Sequence, residues 1–128
     1  MMDLGYTKET EKGFDETVAK IEELTVAKGF KVLHIHDVQE TLKGKGFERE
    51  PFKIIEVCNA KFAYNALGVD LNVGLFMPCK INVYTVEGKT IISAMRPAMI
   101  SEFFSQTELK ELAGEVDEIV RSIVDEAK

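Results

Sequence analysis

The amino-acid sequence predicts an α+β fold in which helices cover one face of a mostly antiparallel sheet. Three observations carry this prediction. Strand-like runs alternate with amphipathic helical segments, and a turn at Glu87-Gly88-Lys89 joins two strands as an antiparallel hairpin. The last twenty residues then carry a long apolar helical stripe that must pack on something. A chain of 128 residues is one domain in length, so we predict a single domain over 1–128.

The first part of the chain has the pattern of a strand, a helix and a second strand. We expect a short strand at 3–10, followed by a helix at 14–28 whose apolar residues recur at helical spacing. Gly29 is predicted to end this helix in the left-handed conformation that glycine adopts readily. A strand at 30–38 and a single helical turn at 38–43 follow. The helix is expected to cross between two neighbouring strands.

The middle of the chain repeats the alternation with a shorter helix. Residues 52–58 are rich in β-branched side chains and predict a strand. Asn59 suits a helix N-cap because its side chain can accept a hydrogen bond from a free backbone amide. The helix is expected at 60–67 and to end at Gly68. Residues 69–78 are expected to form a connector that ends in Met77-Pro78.

The last part predicts the hairpin and the longest helix. Strands are expected at 79–86 and 90–96, with a loop after them. Thr107 is predicted to cap a helix at 108–126, whose apolar positions form the clearest stripe in the chain. Burying so many apolar side chains outweighs any surface-charge effect, so this helix should be a principal stabilising element.

Composition and charge limit the kinds of partner and the cellular compartment that we expect for this protein. Sixteen basic and 22 acidic residues give a net charge of −6, whereas nucleic-acid binders usually present a basic stripe. We therefore expect no nucleic-acid partner, and no membrane partner because no apolar run reaches about 18 residues. The N-terminus, Met1-Met2-Asp3-Leu4, lacks the pattern of a secretory signal. With only two cysteines, the chain is predicted to be cytoplasmic.

The two cysteines are the first candidates for chemistry. Cys58 ends one predicted strand and Cys79 begins another, so antiparallel neighbours would bring both sulfurs to one edge of the sheet. Cys58 also precedes a helix start, where free amides lower a thiol pKa, and a thiolate there is reasonable. The alternative is that both cysteines are small apolar fillers.

Two histidines offer a second kind of chemistry. His34 and His36 are one residue apart on a predicted strand, so both imidazoles face the same side of the sheet. Such a pair can chelate zinc or a similar metal ion, and Cys58 or Cys79 could complete the ligand set. The alternative is a pair of solvated surface histidines.

Three further polar residues have structural as well as functional interpretations. Asn59 could orient a substrate or simply cap its helix. Arg96 could pair with a carboxylate ligand or form a surface salt bridge. Glu56 lies in an otherwise apolar strand. It would be a functional candidate if it were buried, and a surface residue without a special role if it faced solvent.

The middle of the chain resembles the DUF302 family, also called the TT1751-like domain. The resemblance rests on two motifs, Phe52-Lys53-Ile54-Ile55-Glu56-Val57-Cys58-Asn59 and Gly74-Leu75-Phe76-Met77-Pro78-Cys79. It implies a TATA-binding-protein-like β-α-β4-α arrangement and a homodimer, for a family of uncharacterised function. Cys58, Asn59, Pro78 and Cys79 match the family pattern and are the best ligand-binding candidates. Ala60 stands where the family often has proline.

Three functional hypotheses follow from the sequence. The first is a small homodimeric domain that binds a small ligand or a metal ion near Cys58 and Cys79. The second is a thiol-based redox enzyme in which Cys58 reacts and Cys79 resolves it as a disulfide. The third is a non-catalytic interaction module. The sequence therefore leaves enzymatic activity undecided.

Overall fold

The structure is a computed structural model that describes residues 3–128; Met1 and Met2, which the N-terminal argument used, lie outside the described residues. The helices and strands follow one another in this order: β1 (Gly5–Thr10), α1 (Phe14–Ala27), β2 (Lys31–Asp37), α2 (Val38–Lys43), β3 (Phe52–Cys58), α3 (Ala60–Val69), a 3-10 helix (Leu71–Phe76), β4 (Cys79–Val86), β5 (Lys89–Met95), a second 3-10 helix (Pro97–Glu102) and α4 (Thr107–Ala127). No helix within 3–128 combines the length and apolarity that crossing a bilayer requires.

The five strands form one sheet in which every neighbouring pair is antiparallel. The strand order is β1-β5-β4-β3-β2. The α+β prediction is confirmed. The expected crossing of α1 between neighbouring strands is wrong, because β1 and β2 lie at opposite edges. The helix packs against α4 and β4, and so crosses the sheet on its way from one edge to the other.

The hydrophobic core lies between one face of the sheet and the helices α1 and α4. Side chains alternate along a strand, so Ile55 and Val57 on β3 and Ile81 and Val83 on β4 are buried on this helix face. The C-terminal half of α4 completes the same cluster, with Val120, Ile123, Val124 and Ala127. Each fully buried Val or Ile side chain contributes about 1.5–3 kcal/mol, so α4 is a principal stabilising element, as predicted.

A β-bulge in β2 decides which of its residues face the core. The pairing with β3 shifts register between Val32 and His34. The extra residue puts Val32 and Ile35 against the core although they are three positions apart. His34 and His36 consequently share the opposite face, called the open face below. The predicted common face of the two histidines is confirmed.

The turns predicted at Gly29 and Gly88 are confirmed, and both glycines have a positive φ. Gly29 has a φ of 84° and follows α1 as expected. In the β4–β5 hairpin, Glu87 and Gly88 have φ values of 51° and 80°, the two consecutive positive angles that suit the twist of an antiparallel pair. Glu87 is the only non-glycine residue within 3–128 with a positive φ.

Two boundary predictions are wrong. Helix α3 does not end at Gly68 but continues to Val69, and Asp70 follows it as the C-cap. Thr107 is the first residue of α4, while Gln106 occupies the N-cap position without a capping side-chain hydrogen bond. The Gln106 amide instead donates to the Asp70 carboxylate at 3.0 Å, which joins the start of α4 to the end of α3.

The connectors before β4 and after β5 also differ from expectation. The first was expected only as a connector and the second as a loop, and each contains a 3-10 helix. Short 3-10 helices have weak sequence signals because they are stabilised by few hydrogen bonds of their own.

A buried carboxylate fixes the second 3-10 helix to α4. Asp117 is 2% exposed and accepts hydrogen bonds from Arg96 Nε and Nη2 at 3.2 and 2.9 Å. It also accepts from the Ala98 amide at 3.1 Å and from Arg121 Nε at 2.9 Å. Burial alone would raise the pKa of Asp117, but the hydrogen bonds from these three residues lower it overall. Arg96 therefore forms a salt bridge, but its partner is buried and the expected surface position is wrong.

We expect Asp117→Asn to lower the free energy of unfolding by about 2–4 kcal/mol, because it leaves two guanidinium groups without their carboxylate. The loss should be largest near neutral pH. Since the folded pKa of Asp117 is lowered, its contribution is complete above the ordinary carboxyl pKa of about 4 and declines as the pH falls below that value. Urea unfolding of both proteins from pH 3 to 8 measures the difference.

The control is Asp125→Asn, which removes a carboxylate that accepts a hydrogen bond from Tyr6 in an exposed position. It should change stability by under about 1 kcal/mol, as for other surface interactions. A difference between wild type and Asp117→Asn that stays constant down to pH 3 would contradict the assignment.

Candidate functional site

The two cysteines lie at the adjoining ends of β3 and β4, as the sequence predicts. Strands β3 and β4 are antiparallel neighbours, and Val57 on β3 pairs directly with Cys79 on β4. Cys58 is the next residue along β3. Both cysteines are free thiols, and neither is fully exposed.

A largely apolar cavity of about 70 Å³ lies beside these thiols, between the sheet, α3 and α4. All four of the sequence-predicted ligand-binding candidates line it, and the remaining lining residues are apolar. The lining residues are Phe30, Val57, Cys58, Asn59, Phe62, Ala63, Ala66, Val73, Met77, Pro78, Cys79, Leu109, Leu112, Ala113 and Val116.

Both thiols are held in the neutral form. Burial raises the pKa of Cys79 to about 11, and the neighbouring Cys58 adds to this effect. Burial also raises the pKa of Cys58 above its ordinary value. The expected thiolate at Cys58 is therefore wrong. Desolvation opposes the charged thiolate. Among the described residues, no backbone amide at the start of α3 donates a hydrogen bond to the Cys58 sulfur, and the Phe62 amide donates to Asn59 instead.

Asn59 acts as the predicted helix cap. Its Oδ1 accepts from the Phe62 amide at 3.1 Å, and its Nδ2 donates to the Gly29 carbonyl at 3.0 Å. The side chain thus joins α3 to the turn after α1, and its polar atoms are already engaged. Helix α3 begins at Ala60, the position where the resembling family often has proline.

The sequence did not indicate which elements close the cavity. Val73 in the first 3-10 helix is buried and lines it, although the segment was expected only as a connector. Leu109 and Ala113 on α4 also line it. An isolated apolar residue between polar ones, as in Asn72-Val73-Gly74, was the available signal.

The histidines lie away from the cysteine cavity. His34 pairs with Glu56 in register, on the open face, whereas Cys79 pairs with Val57 on the helix face. The imidazole ring centroids of His34 and His36 are 4.3 Å apart, and a hydrogen bond of 3.0 Å joins His36 Nε2 to Glu56 Oε2. The predicted mixed set of histidines and cysteines is not brought together. Within 3–128, no cluster of three or more His, Cys, Asp or Glu is positioned to hold a metal ion.

Comparison with known proteins identifies relatives of the whole chain. The profile of a family described as a domain of unknown function, DUF302, matches residues 6–127. A crystal structure of an uncharacterised conserved DUF302 protein from Bacillus stearothermophilus is 34% identical, with a TM-score of 0.91 and coverage of 98% of each chain. No curated protein matches the sequence significantly.

We expect the rate of alkylation of Cys79 by iodoacetamide to rise about tenfold for each pH unit from 8 to 10, without reaching a plateau. The thiolate is the reactive form, and its fraction keeps rising until the pH exceeds a pKa of about 11. Mass spectrometry of the native protein, with Cys58→Ser to isolate Cys79, gives the rates. A plateau near pH 8.5, as for an exposed thiol, would contradict the neutral thiol described above.

Proposed function

Because the chain belongs to the DUF302 family, whose function is unknown, we propose a function from the geometry of its cavity. The protein binds a small, neutral, largely apolar molecule beside the thiols of Cys58 and Cys79. The observation that carries the proposal is that both cysteines line one apolar cavity at the adjoining ends of β3 and β4.

The size and lining of the cavity determine the class of ligand. Packed protein interiors contain few voids, and an empty apolar cavity of about 150 Å³ can bind benzene or xenon rather than water. At about 70 Å³, this cavity suits a molecule of only a few non-hydrogen atoms. Asn59 offers the ligand little, since its side-chain atoms bond Gly29 and Phe62.

The thiols supply the polar side of this site as weak hydrogen-bonding groups. Their raised pKa values keep them uncharged at neutral pH, which suits a neutral ligand and not nucleophilic attack. A zinc-like ion would find only these two cysteines here, whereas structural zinc normally takes four protein ligands. Free thiols also suit a reducing compartment, so we place the protein in the cytoplasm.

We further propose that the protein is a homodimer joined through an apolar patch beside the two 3-10 helices. Leu75 and Phe103 are 84% and 65% exposed, and both border a largely apolar groove. Its other lining residues are Leu4, Phe76, Met95, Met99 and the charged Lys80. A protruding leucine next to an apolar groove is self-complementary. A two-fold axis would let each copy fill the groove of the other.

Filling the cavity tests the ligand site. Ala66 lines it, so Ala66→Leu should place a larger side chain inside and abolish the shift that bound xenon produces in a xenon NMR titration. Wild type should show this shift at saturating xenon, because a dry apolar cavity binds xenon. Far-UV circular dichroism confirms that the variant is folded, and Ala113→Val is the second choice if it is not.

The control for cavity filling is Ala19→Leu, the same substitution at an exposed position of α1 outside the cavity. It should leave the xenon shift as in wild type. Equal xenon shifts in wild type and in a folded Ala66→Leu protein would overturn the proposed site.

The dimer has its own test. We expect Leu75→Glu to convert a dimer into a monomer in light scattering after gel filtration, because a charge would be buried in the apolar contact. Tyr64→Glu is the control, since Tyr64 is 80% exposed on α3 and does not border the groove. A monomeric wild type, or a dimeric Leu75→Glu protein, would contradict the proposed interface.

A further inference from the structure

We propose that the cysteine cavity also binds a monovalent copper ion, Cu(I), through the sulfur atoms of Cys58, Met77 and Cys79. All three residues line this cavity of about 70 Å³. The inference rests on the cavity proposed above as a binding site, but it names a different class of ligand and does not depend on the neutral molecule. A single ion needs less space than an organic molecule, so the cavity is large enough for it.

The pairing of β3 with β4 places the two thiols within reach of one ion. Cys79 pairs in register with Val57, and the Cα atoms of such antiparallel partners are about 4.5–5.5 Å apart. Cys58 is the next residue and the last of β3, and both cysteines line the same cavity. Burial raises the pKa of Cys79 to about 11, and Cys58 adds to this effect, so the two sulfur atoms are close enough to interact. Two cysteines placed in this way can share a soft metal ion.

Met77 supplies a third sulfur atom from the segment that leads into β4. It follows the first 3-10 helix, lies two residues before Cys79 and lines the cavity with both cysteines. Its unbranched side chain has three rotatable bonds and adapts to irregular spaces. Within 3–128, no His, Asp or Glu joins the two cysteines in a cluster that could hold a metal ion. Thiolate and thioether ligands without imidazole or carboxylate favour Cu(I) over zinc.

The surroundings of Cys79 can stabilise the charge of the bound form. Each coordinating thiol releases its proton to solvent when the ion binds, and copper remains Cu(I) throughout. Two thiolates and one Cu(I) together carry a net negative charge, which an apolar lining alone would disfavour. Burial has the largest effect on the pKa of Cys79 and raises it, whereas the ammonium of Lys80, the next residue, lowers it. Lys80 takes part in none of the salt bridges of residues 3–128, so its charge is available to stabilise the copper-thiolate unit.

The experiment is an anaerobic competition titration in which the protein takes Cu(I) from the coloured chelator bathocuproine disulfonate. We expect wild type to bind one equivalent per chain, and X-ray absorption of the loaded protein to show three sulfur neighbours around copper. Cys58→Ser and Cys79→Ser should each weaken binding about a hundredfold, because a hydroxyl replaces a soft thiolate. Met77→Leu should weaken binding about tenfold and leave two sulfur neighbours.

Met99→Leu is the matched control, because it removes a thioether that does not line the cavity. It should bind Cu(I) like wild type, and far-UV circular dichroism confirms that each variant is folded. Wild-type affinity in Cys58→Ser or Cys79→Ser, or nitrogen and oxygen neighbours around copper, would overturn the proposal. A wild-type protein that binds xenon but not Cu(I) would also overturn it and would leave the proposed function intact. Loss of Cu(I) binding in Cys58→Ser with an unchanged xenon shift would support it.

Discussion

The structure depends on the burial of the apolar stripe of α4 against one face of the sheet. The two halves of the helix meet different surroundings, however. Its C-terminal half packs with Val120, Ile123 and Val124 into the main cluster of buried residues. Its N-terminal half, with Leu109 and Ala113, lies outside that cluster and lines the cavity instead. One continuous stripe therefore both stabilises the fold and leaves space near the cysteines.

Much of the fold could be predicted because local signals agree with the tertiary arrangement. The bounds of β3 and β4 follow from β-branched alternation, and Gly29 marks a real left-handed turn. The prediction failed where a distant contact decides the local conformation. Gln106 bonds Asp70, 36 residues away, and this partner is invisible in the local sequence. The positions of β1 and β2 at opposite edges likewise follow from the pairing of the whole sheet.

The candidate site could be predicted in its location but not in its chemistry. Strand ends alone were enough to bring Cys58 and Cys79 together. The protonation of their thiols depends on desolvation by neighbours from α3, α4 and the first 3-10 helix, and spacing along the chain carries no measure of that. Asp117 is similar: its position within the α4 stripe gave no sign that a carboxylate would be buried there with Arg96. Cys79 is thus a neutral thiol on the helix face, paired with Val57, whereas the open face carries the carboxylate of Glu56 and the amine of Lys80.

The bulge in β2 determines which side chains of that strand lie on each face of the sheet. The extra residue lies between Val32 and His34, where Leu33 is 49% exposed. Deleting Leu33 would restore simple alternation and would leave Ile35 on the helix face and His34 and His36 on the open face. A one-residue deletion at Leu33 should thus be tolerated better than one at Ile35, which would turn His36 towards hydrocarbon. During divergence, the length of the strand can change by one residue at this point without exchanging its two faces.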